Sequence, residues 1–280
     1  RAMQRFNTEV IVIEHLPRLM PRQLDQAGSD RLLEHVRRMG IQVMLGEAVR
    51  AVNGTVRIEG IGLRSGTEIA CDTLIVATGI RPNIDIARNA GLSVGRVIRV
   101  DDKMQTSDER IYAVGECAEH REVVYGLVAP GLEQAAVAAH CLCGGKATYV
   151  PSVTATRLKV VGLDVFSIGR VNEDESLYLT QQVPWAQADA YRKVVIEHGR
   201  LVGAMAVGKI EALGRLQEAV THARRVWPWE ALRFRRSGTL WSANQPDDVC
   251  AWPASAMVCN CTGVTQGKLT AAIGAGCNSL

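Results

Sequence analysis

Thr106-Ser-Asp-Glu-Arg-Ile-Tyr-Ala-Val-Gly-Glu116-Cys-Ala-Glu-His120 is the stretch that decides the fold. Ile111, Tyr112, Ala113 and Val114 read as a short apolar strand. Gly115, having no Cβ, permits close backbone approach. Glu116 then falls at the carboxyl end of a strand, where open α/β sheets bind ligands. Tyr125-Gly-Leu-Val-Ala-Pro130-Gly-Leu-Glu-Gln134 follows and opens an alanine-rich helix, with Pro130 suited to its first turn. The free N–H groups and positive dipole of such a helix start, with a carboxylate acceptor, suit a ligand bearing sugar hydroxyls and an electron-rich ring.

The pattern T-x-x-x-x-I-Y-A-x-G-[DE] resembles the second flavin-binding motif of the two-dinucleotide-binding-domain flavoproteins, the pyridine nucleotide–disulfide oxidoreductase superfamily. The longer string IYAVGECAEH…VYGLVAPGLEQA is similar to one branch, the flavoprotein part of NAD(P)H nitrite reductase large subunits and its stand-alone relatives. The resemblance implies a fold of the α/β class: Rossmann-like domains, a small α+β C-terminal domain and part of a helical [2Fe–2S] domain. By the same resemblance, Glu116 holds the ribityl chain of FAD, and Gly115 lies in the cofactor-binding turn beside it. The segment Gly126, Leu127, Val128, Ala129, Pro130 and Gly131 points at the isoalloxazine. The wider superfamily usually has Asp where this chain has Glu116, a change that adds one methylene and keeps the acceptor.

The chain has 280 residues, 47% hydrophobic and 22% charged, a soluble globular balance with room for two or three small domains. A net charge of +3 gives no argument for a nucleic-acid partner. No apolar run approaches the roughly 20 residues that span a bilayer, so no membrane partner is expected. Eight scattered cysteines, two of them in Cys259-Asn-Cys261, favour metal or redox use over a disulfide framework, and the expected compartment is cytoplasmic.

Residues 1–84 read as a partial NAD(P)-binding domain. Arg1 to Phe6 reads as the end of a helix, and Glu9-Val-Ile-Val-Ile-Glu14 as a buried parallel strand. An acidic residue ending the second strand of a dinucleotide-binding unit bonds the adenosine ribose, the post that Glu14 fits. The Gly-rich turn that should precede it is absent. Gly60-Ile-Gly62-Leu-Arg-Ser-Gly66 has the wrong spacing and reads as a hairpin, so the chain reads as a fragment. A helix is expected over Asp25 to Met39, with Leu24, Leu32, Leu33 and Val36 on one face and Gly40 ending it. A strand at Ile41–Leu45 and a β-meander over Val49–Ile69, turning at Asn53-Gly54 and Ser65-Gly66, come next. Cys71-Asp-Thr-Leu-Ile-Val-Ala-Thr78-Gly79 reads as a hydrophobic strand running into Ala-Thr-Gly, a second marker of the superfamily. Its resemblance places Thr78 and Gly79 near the cofactors; a tight turn after a core strand is the alternative.

Residues 85–148 then return to the FAD-binding domain, and 149–243 read as a C-terminal α+β domain. Strands are expected over Thr156–Ile168 and Tyr191–Val207, with turns at Gly162 and His198-Gly199. Arg224, Arg225, Arg233, Arg235 and Arg236 interleave with Trp227, Trp229, Phe234 and Trp241. This pattern reads as a clamp packing a linker onto the reductase in preference to a nucleic-acid surface. Cys117, Cys141 and Cys143 read as core or surface thiols. A linker spans 244–255.

Residues 256–280 open on Cys259-Asn-Cys261 in a loop, with Thr265 as the N-cap of a following helix. Two thiolates beside a positive helix end suit an anionic Fe–S cluster, with zinc the weaker competitor. The segment resembles a bacterioferritin-associated ferredoxin-like [2Fe–2S] domain. That family needs a later C-x-x-C, for which Cys277 comes too early, so the ligand set is half present. The expected function is NAD(P)H oxidation, NADH favoured, through FAD and a [2Fe–2S] cluster. Electrons pass to an acceptor domain or protein of nitrate or nitrite assimilation, and a homodimer is compatible with the fold. A flavoprotein subunit of an opine or amino-acid dehydrogenase or oxidase is the alternative enzyme, and an inactive reductase-fold binding module the alternative of another class. No side chain is assigned as a catalytic acid or base.

Overall fold

The apolar run ending at Glu14 forms β1 (Ile11–Glu14) in the computed structural model, after a single 3-10 turn at Met3–Phe6. The structure describes the chain apart from residues 1, 2, 7, 152, 154, 161, 172–179, 188, 189, 209–212, 242–251, 260–263 and 278–280. The crossover from β1 is α1 (Gln26–Arg38), which returns the chain to β2 (Gln42–Leu45), parallel to β1. Local chemistry sets both ends of α1. Asp25 accepts from the Gly28 N–H at 2.9 Å, satisfying a first-turn donor. His35, Arg37 and Arg38 occupy the negative end, and Gly40 leaves in the left-handed region at φ +78°.

The meander follows as β3 (Val49–Asn53), β4 (Gly60–Leu63) and β5 (Glu68–Ala70), all antiparallel. The Ser65-Gly66 turn stands as expected, whereas the Asn53-Gly54 connection is longer than a two-residue hairpin. The expected strand at Cys71–Val76 does not form. Residues 71–84 carry no helix or strand, and Ile75 and Val76 are 69% and 72% exposed. A parallel strand is held by neighbours on both sides, and no described strand pairs with this stretch.

Next come α2 (Asp85–Asn89), β6 (Ile98–Val100), β7 (Ala118–His120) and α3 (Val128–Leu142), with β6 parallel to β7. The expected strand at 111–114 is also corrected. Its backbone bonds back locally: Ala113 N–H donates to the Met104 carbonyl, and Thr106 N–H to that of Ile111. Ladder pairing begins only at β7, after Gly115–Cys117 turns as a 3-10 helix. Met104, Ala138 and Tyr149 form the core here, flanked by Val100, Tyr112, Val114, Tyr125 and Val137.

A five-stranded antiparallel sheet follows: β8 (Ala155–Val160), β9 (Leu163–Gly169), β10 (Thr180–Gln187), β11 (Ala190–Glu197) and β12 (Arg200–Val207). Its order is β10-β11-β12-β9-β8. The β10 segment, Thr-Gln-Gln-Val-Pro-Trp-Ala-Gln, has little strand pattern. At a sheet edge Pro184 need donate no ladder bond. Alternate side chains serve two cores. Phe166, Ile168, Val194, Ile196, Ala204 and Ala206 face α4 (Leu213–Thr221) and α5 (Pro228–Ser237). Val165, Tyr191, Met205 and Val207 face the other way and pack with Leu24, Leu32, Val36, Ile41 and Val43 of the α1 region. Lys193, on that same face and only 3% exposed, reaches Asp25 at 2.7 Å, and the Tyr191 hydroxyl donates to the same carboxylate oxygen at 2.8 Å.

The arginines near α5 work within this layer. Arg225 lies over Trp227, which stacks on Trp229 with centroids 5.1 Å apart. Arg192 and Arg233 donate to the carbonyls of Gly238 and Leu240, each at 3.1 Å. Most of the expected linker lies outside the described residues. Beyond it stand β13 (Met257–Cys259), β14 (Val264–Thr265) and α6 (Gln266–Gly274). The chain divides into two compact units, 1–76 with 153–248, and 77–152 with 249–280. No described helix is long and apolar enough to cross a membrane.

Candidate functional site

Gly115 sits at φ +79°, in the left-handed region that glycine enters without a Cβ penalty. This turns the chain out of the extended run 111–114 and into the 3-10 turn, so Glu116 lies in that turn and not at a strand end. Two contacts seat the turn against α3. A Cβ on Gly131 would lie 3.3 Å from Gly115 Cα. The Gly115 N–H donates to Gln134 Oε1 at 2.7 Å, and Gln134 is fully buried. The exposed Glu116 carboxylate has no hydrogen-bond or ion-pair partner among the described residues.

The start of α3 is open. Leu127, its N-cap, provides no side-chain cap. Gly126 lies at φ +61° with no atom within 4 Å of where a Cβ would be, and Val128 is 78% exposed. Ala129 is partly buried and Pro130 buried. The first-turn N–H groups of Val128 and Ala129 thus have no side-chain acceptor among the described residues, beside a turn bearing an uncommitted carboxylate. That pairing fits FAD: the carboxylate can accept from ribityl hydroxyls, and the helix start can receive the electron-rich edge of the ring.

The other expected residues are placed separately. Thr78 and Gly79 stand exposed in the unpaired 71–84 stretch, with Gly79 at φ +90° and open space around it. Glu14 ends β1 as expected. Its Oε1 accepts from the Leu16 N–H at 2.9 Å and lies 3.0 Å from His15 Nδ1. Cys259 is not in a loop: it is the last residue of β13, opposite Val264 of β14. Cys261 lies outside the described residues. Thr265 caps α6 as expected, accepting from the Lys268 N–H at 3.3 Å. No group of three or more His, Cys, Asp and Glu side chains that could hold a metal ion occurs among the described residues. Cys117 is a free thiol whose Sγ donates to the Val114 carbonyl.

Sequence reasoning missed the polar layer behind this turn. Asp102 takes the fully buried His120 Nε2 at 2.8 Å and a two-pronged contact from Arg121. The hydrogen bond from Arg121, then that from His120, holds its carboxyl down at about 2. His120 meets the Tyr149 ring edge-on, and burial pushes the Tyr149 hydroxyl up to about 12. Gln134 was missed too. Its signal was a lone amide facing inward within a helix otherwise rich in alanine.

The family described as pyridine nucleotide-disulphide oxidoreductase matches residues 1–140, and that described as rubredoxin NAD+ reductase C-terminal domain matches residues 155–224. The chain is 36% identical to a nitrite reductase [NAD(P)H] of Bacillus subtilis, covering 100% of this chain and 34% of that protein. It is 32% identical to the assimilatory nitrate reductase electron transfer subunit of the same organism, covering 97% of this chain and 34% of that one. Among solved structures it is similar to an NAD-dependent persulfide reductase from A. fulgidus, with a TM-score of 0.68, 26% identity, and coverage of 80% of this chain and 46% of that one. The chain thus spans about a third of the length of the curated relatives it matches.

Proposed function

Since the chain belongs to the pyridine nucleotide-disulphide oxidoreductase family, we propose that it is part of an NAD(P)H-dependent flavoprotein oxidoreductase. Residues 1–84 would serve the nicotinamide nucleotide, 85–148 the flavin, and 149–243 a C-terminal domain. The observation that carries this reading is the Glu116 turn seated on the open start of α3. FAD, when bound, supplies the conversion of two-electron to one-electron chemistry. The chain's own task is to hold it: Glu116 as acceptor for ribityl hydroxyls, Gly115 by keeping the backbone clear, and residues 126–129 by presenting N–H groups and a positive helix end. Thr78 and Gly79 would border the same cofactors.

In the full-length protein, Glu116→Ala should weaken FAD binding. Losing a charge-assisted acceptor costs about 1.5–3 kcal/mol, roughly 10-fold to 150-fold in Kd. Flavin retained after dialysis and the Kd of the reconstituted apoprotein measure this. Unchanged affinity would place Glu116 outside the site and remove the main support for the reading.

Glu14 gives a second expectation. Its Oε1 is already committed to the Leu16 N–H, which fixes the carboxylate at the end of β1. A fixed anion there accepts from both ribose hydroxyls and repels a 2′-phosphate. The full-length enzyme should therefore show a higher kcat/KM with NADH than with NADPH. Arg18, four residues on, is the local cation that could reverse the choice. A clear preference for NADPH would refute the role of Glu14.

Electrons would leave towards an acceptor domain or protein of nitrate or nitrite assimilation, a reading supported by the relatives' names. Cys259 and Cys261 would be two ligands of a [2Fe–2S] cluster, with the remaining two supplied by the rest of the protein. The capped start of α6 follows them within a few residues and provides a positive end for an anionic cluster.

A further inference from the structure

We propose that Gln134 is a positioning residue for the flavin site, acting through the Gly115 backbone to aim the Glu116 carboxylate. The inference rests on the flavin reading of that turn. Gln134 is 0% exposed, on the buried face of α3 with the apolar Pro130 and Ala138. A buried primary amide costs stability unless its polar atoms are paired, and an apolar residue of like volume would avoid that cost. Packing alone therefore does not account for it.

The amide is committed at one end only. Its oxygen accepts from the Gly115 N–H at 2.7 Å, and only the oxygen can do so, which fixes its orientation. Its Nε2 and the Tyr149 hydroxyl are both buried and complete no hydrogen bond among the described residues. The Gln134 amide nevertheless bears on that hydroxyl, opposing in part the larger effect of burial. The short, well-made bond is thus the one to Gly115, at the residue whose φ of +79° swings the chain into the Glu116 turn. Gly131 leaves the space for this seat: a Cβ there would press on Gly115 Cα at 3.3 Å. The Ala118 N–H closes the far side of the turn on the Gly115 carbonyl; without the Gln134 acceptor the Gly115 N–H side loses its anchor, and the neighbouring carboxylate loses its fixed direction.

The test uses full-length protein and four variants: Q134M, Q134E, E116A and the double variant Q134M/E116A. FAD Kd is read by flavin fluorescence on reconstituted apoprotein, with the melting temperature of each apoprotein measured alongside. Q134M should raise Kd by about 10-fold. Q134E keeps an oxygen acceptor for the Gly115 N–H and should stay within about 3-fold of wild type. Q134M should add little to the loss already caused by E116A, because both changes act through one contact. Should Q134M fail to melt cooperatively, Q134N, whose amide is one methylene too short to reach Gly115, carries the same expectations. A Q134M or Q134N protein with wild-type Kd, or a loss fully additive with E116A, would overturn the proposal, since a purely structural glutamine lowers the melting temperature without coupling to Glu116. Wild-type protein that binds no FAD would instead overturn the flavin reading itself. Wild-type binding weakened by E116A alone would leave that reading intact and reject only the role of Gln134.

Discussion

Asp25→Ala is expected to destabilise the unit formed by residues 1–76 and 153–248 by about 3–5 kcal/mol, the usual range when one partner of a buried ion pair is removed. Three groups converge on this carboxylate: the Gly28 N–H at 2.9 Å, the Tyr191 hydroxyl at 2.8 Å and the Lys193 ammonium at 2.7 Å. Loss of the cap alone costs about 1 kcal/mol. The larger part comes from Lys193, 3% exposed, whose amine would stay in the core without the Asp25 carboxylate. The double variant Asp25→Ala/Lys193→Met should therefore be more stable than Asp25→Ala, because the buried charge goes with its partner. Urea unfolding followed by circular dichroism measures both. A loss below about 1 kcal/mol for Asp25→Ala would show that the carboxylate is no more than a cap. Tyr191 adds an alkaline limit. Burial, then the hydrogen bond to Asp25, raises its pKa above the usual 10.0, so its contribution is complete below pH 10 and is lost as pH climbs beyond.

The second large effect is all-or-none. In full-length protein, Cys259→Ser should abolish the paramagnetic resonance signal of a reduced [2Fe–2S] centre. It should leave NADH-dependent bleaching of the flavin intact, because on the proposed route the flavin is reduced before electrons reach the cluster. The full-length protein should carry about two irons per protomer. The 280-residue chain alone should purify without stoichiometric iron, since two thiolates leave a four-ligand set half made. A Ser variant with an undiminished signal would exclude Cys259 as a ligand, and iron held stoichiometrically by the 280-residue chain would refute the divided ligand set.

Elements that carry their own boundary chemistry were legible in the sequence. Asp25 and Gly40 bracket α1, Thr265 caps α6, and the apolar strand patterns broken at Gly162 and at His198-Gly199 stand as β8 with β9 and as β11 with β12. The failures share one cause: dependence on neighbours. Cys71–Val76 and Ile111–Val114 have strand composition, but strand state needs a partner edge, which local sequence does not report. β10 errs the opposite way. Pro184 and three glutamines obscure a strand that the edge of the β11 ladder then imposes. At the candidate site, Glu116 and the 126–131 segment stood out as a motif. Gln134 did not, because a buried amide acquires meaning only when the fold brings a peptide N–H to it.

The double-sided sheet also limits how this protein can be engineered by part exchange. Grafting β8–β12 with α4 and α5 onto another reductase looks like a clean transplant of a self-contained block. It would, however, bare Val165, Met205 and Val207 to water and strand Lys193 opposite whatever the host presents. A working chimera would need to bring Leu24 to Val43 along with the sheet, or a host helix already bearing an acid at its cap. The natural cut points for shuffling relatives therefore fall on either side of the paired segments, with Asp25 and Lys193 inherited together.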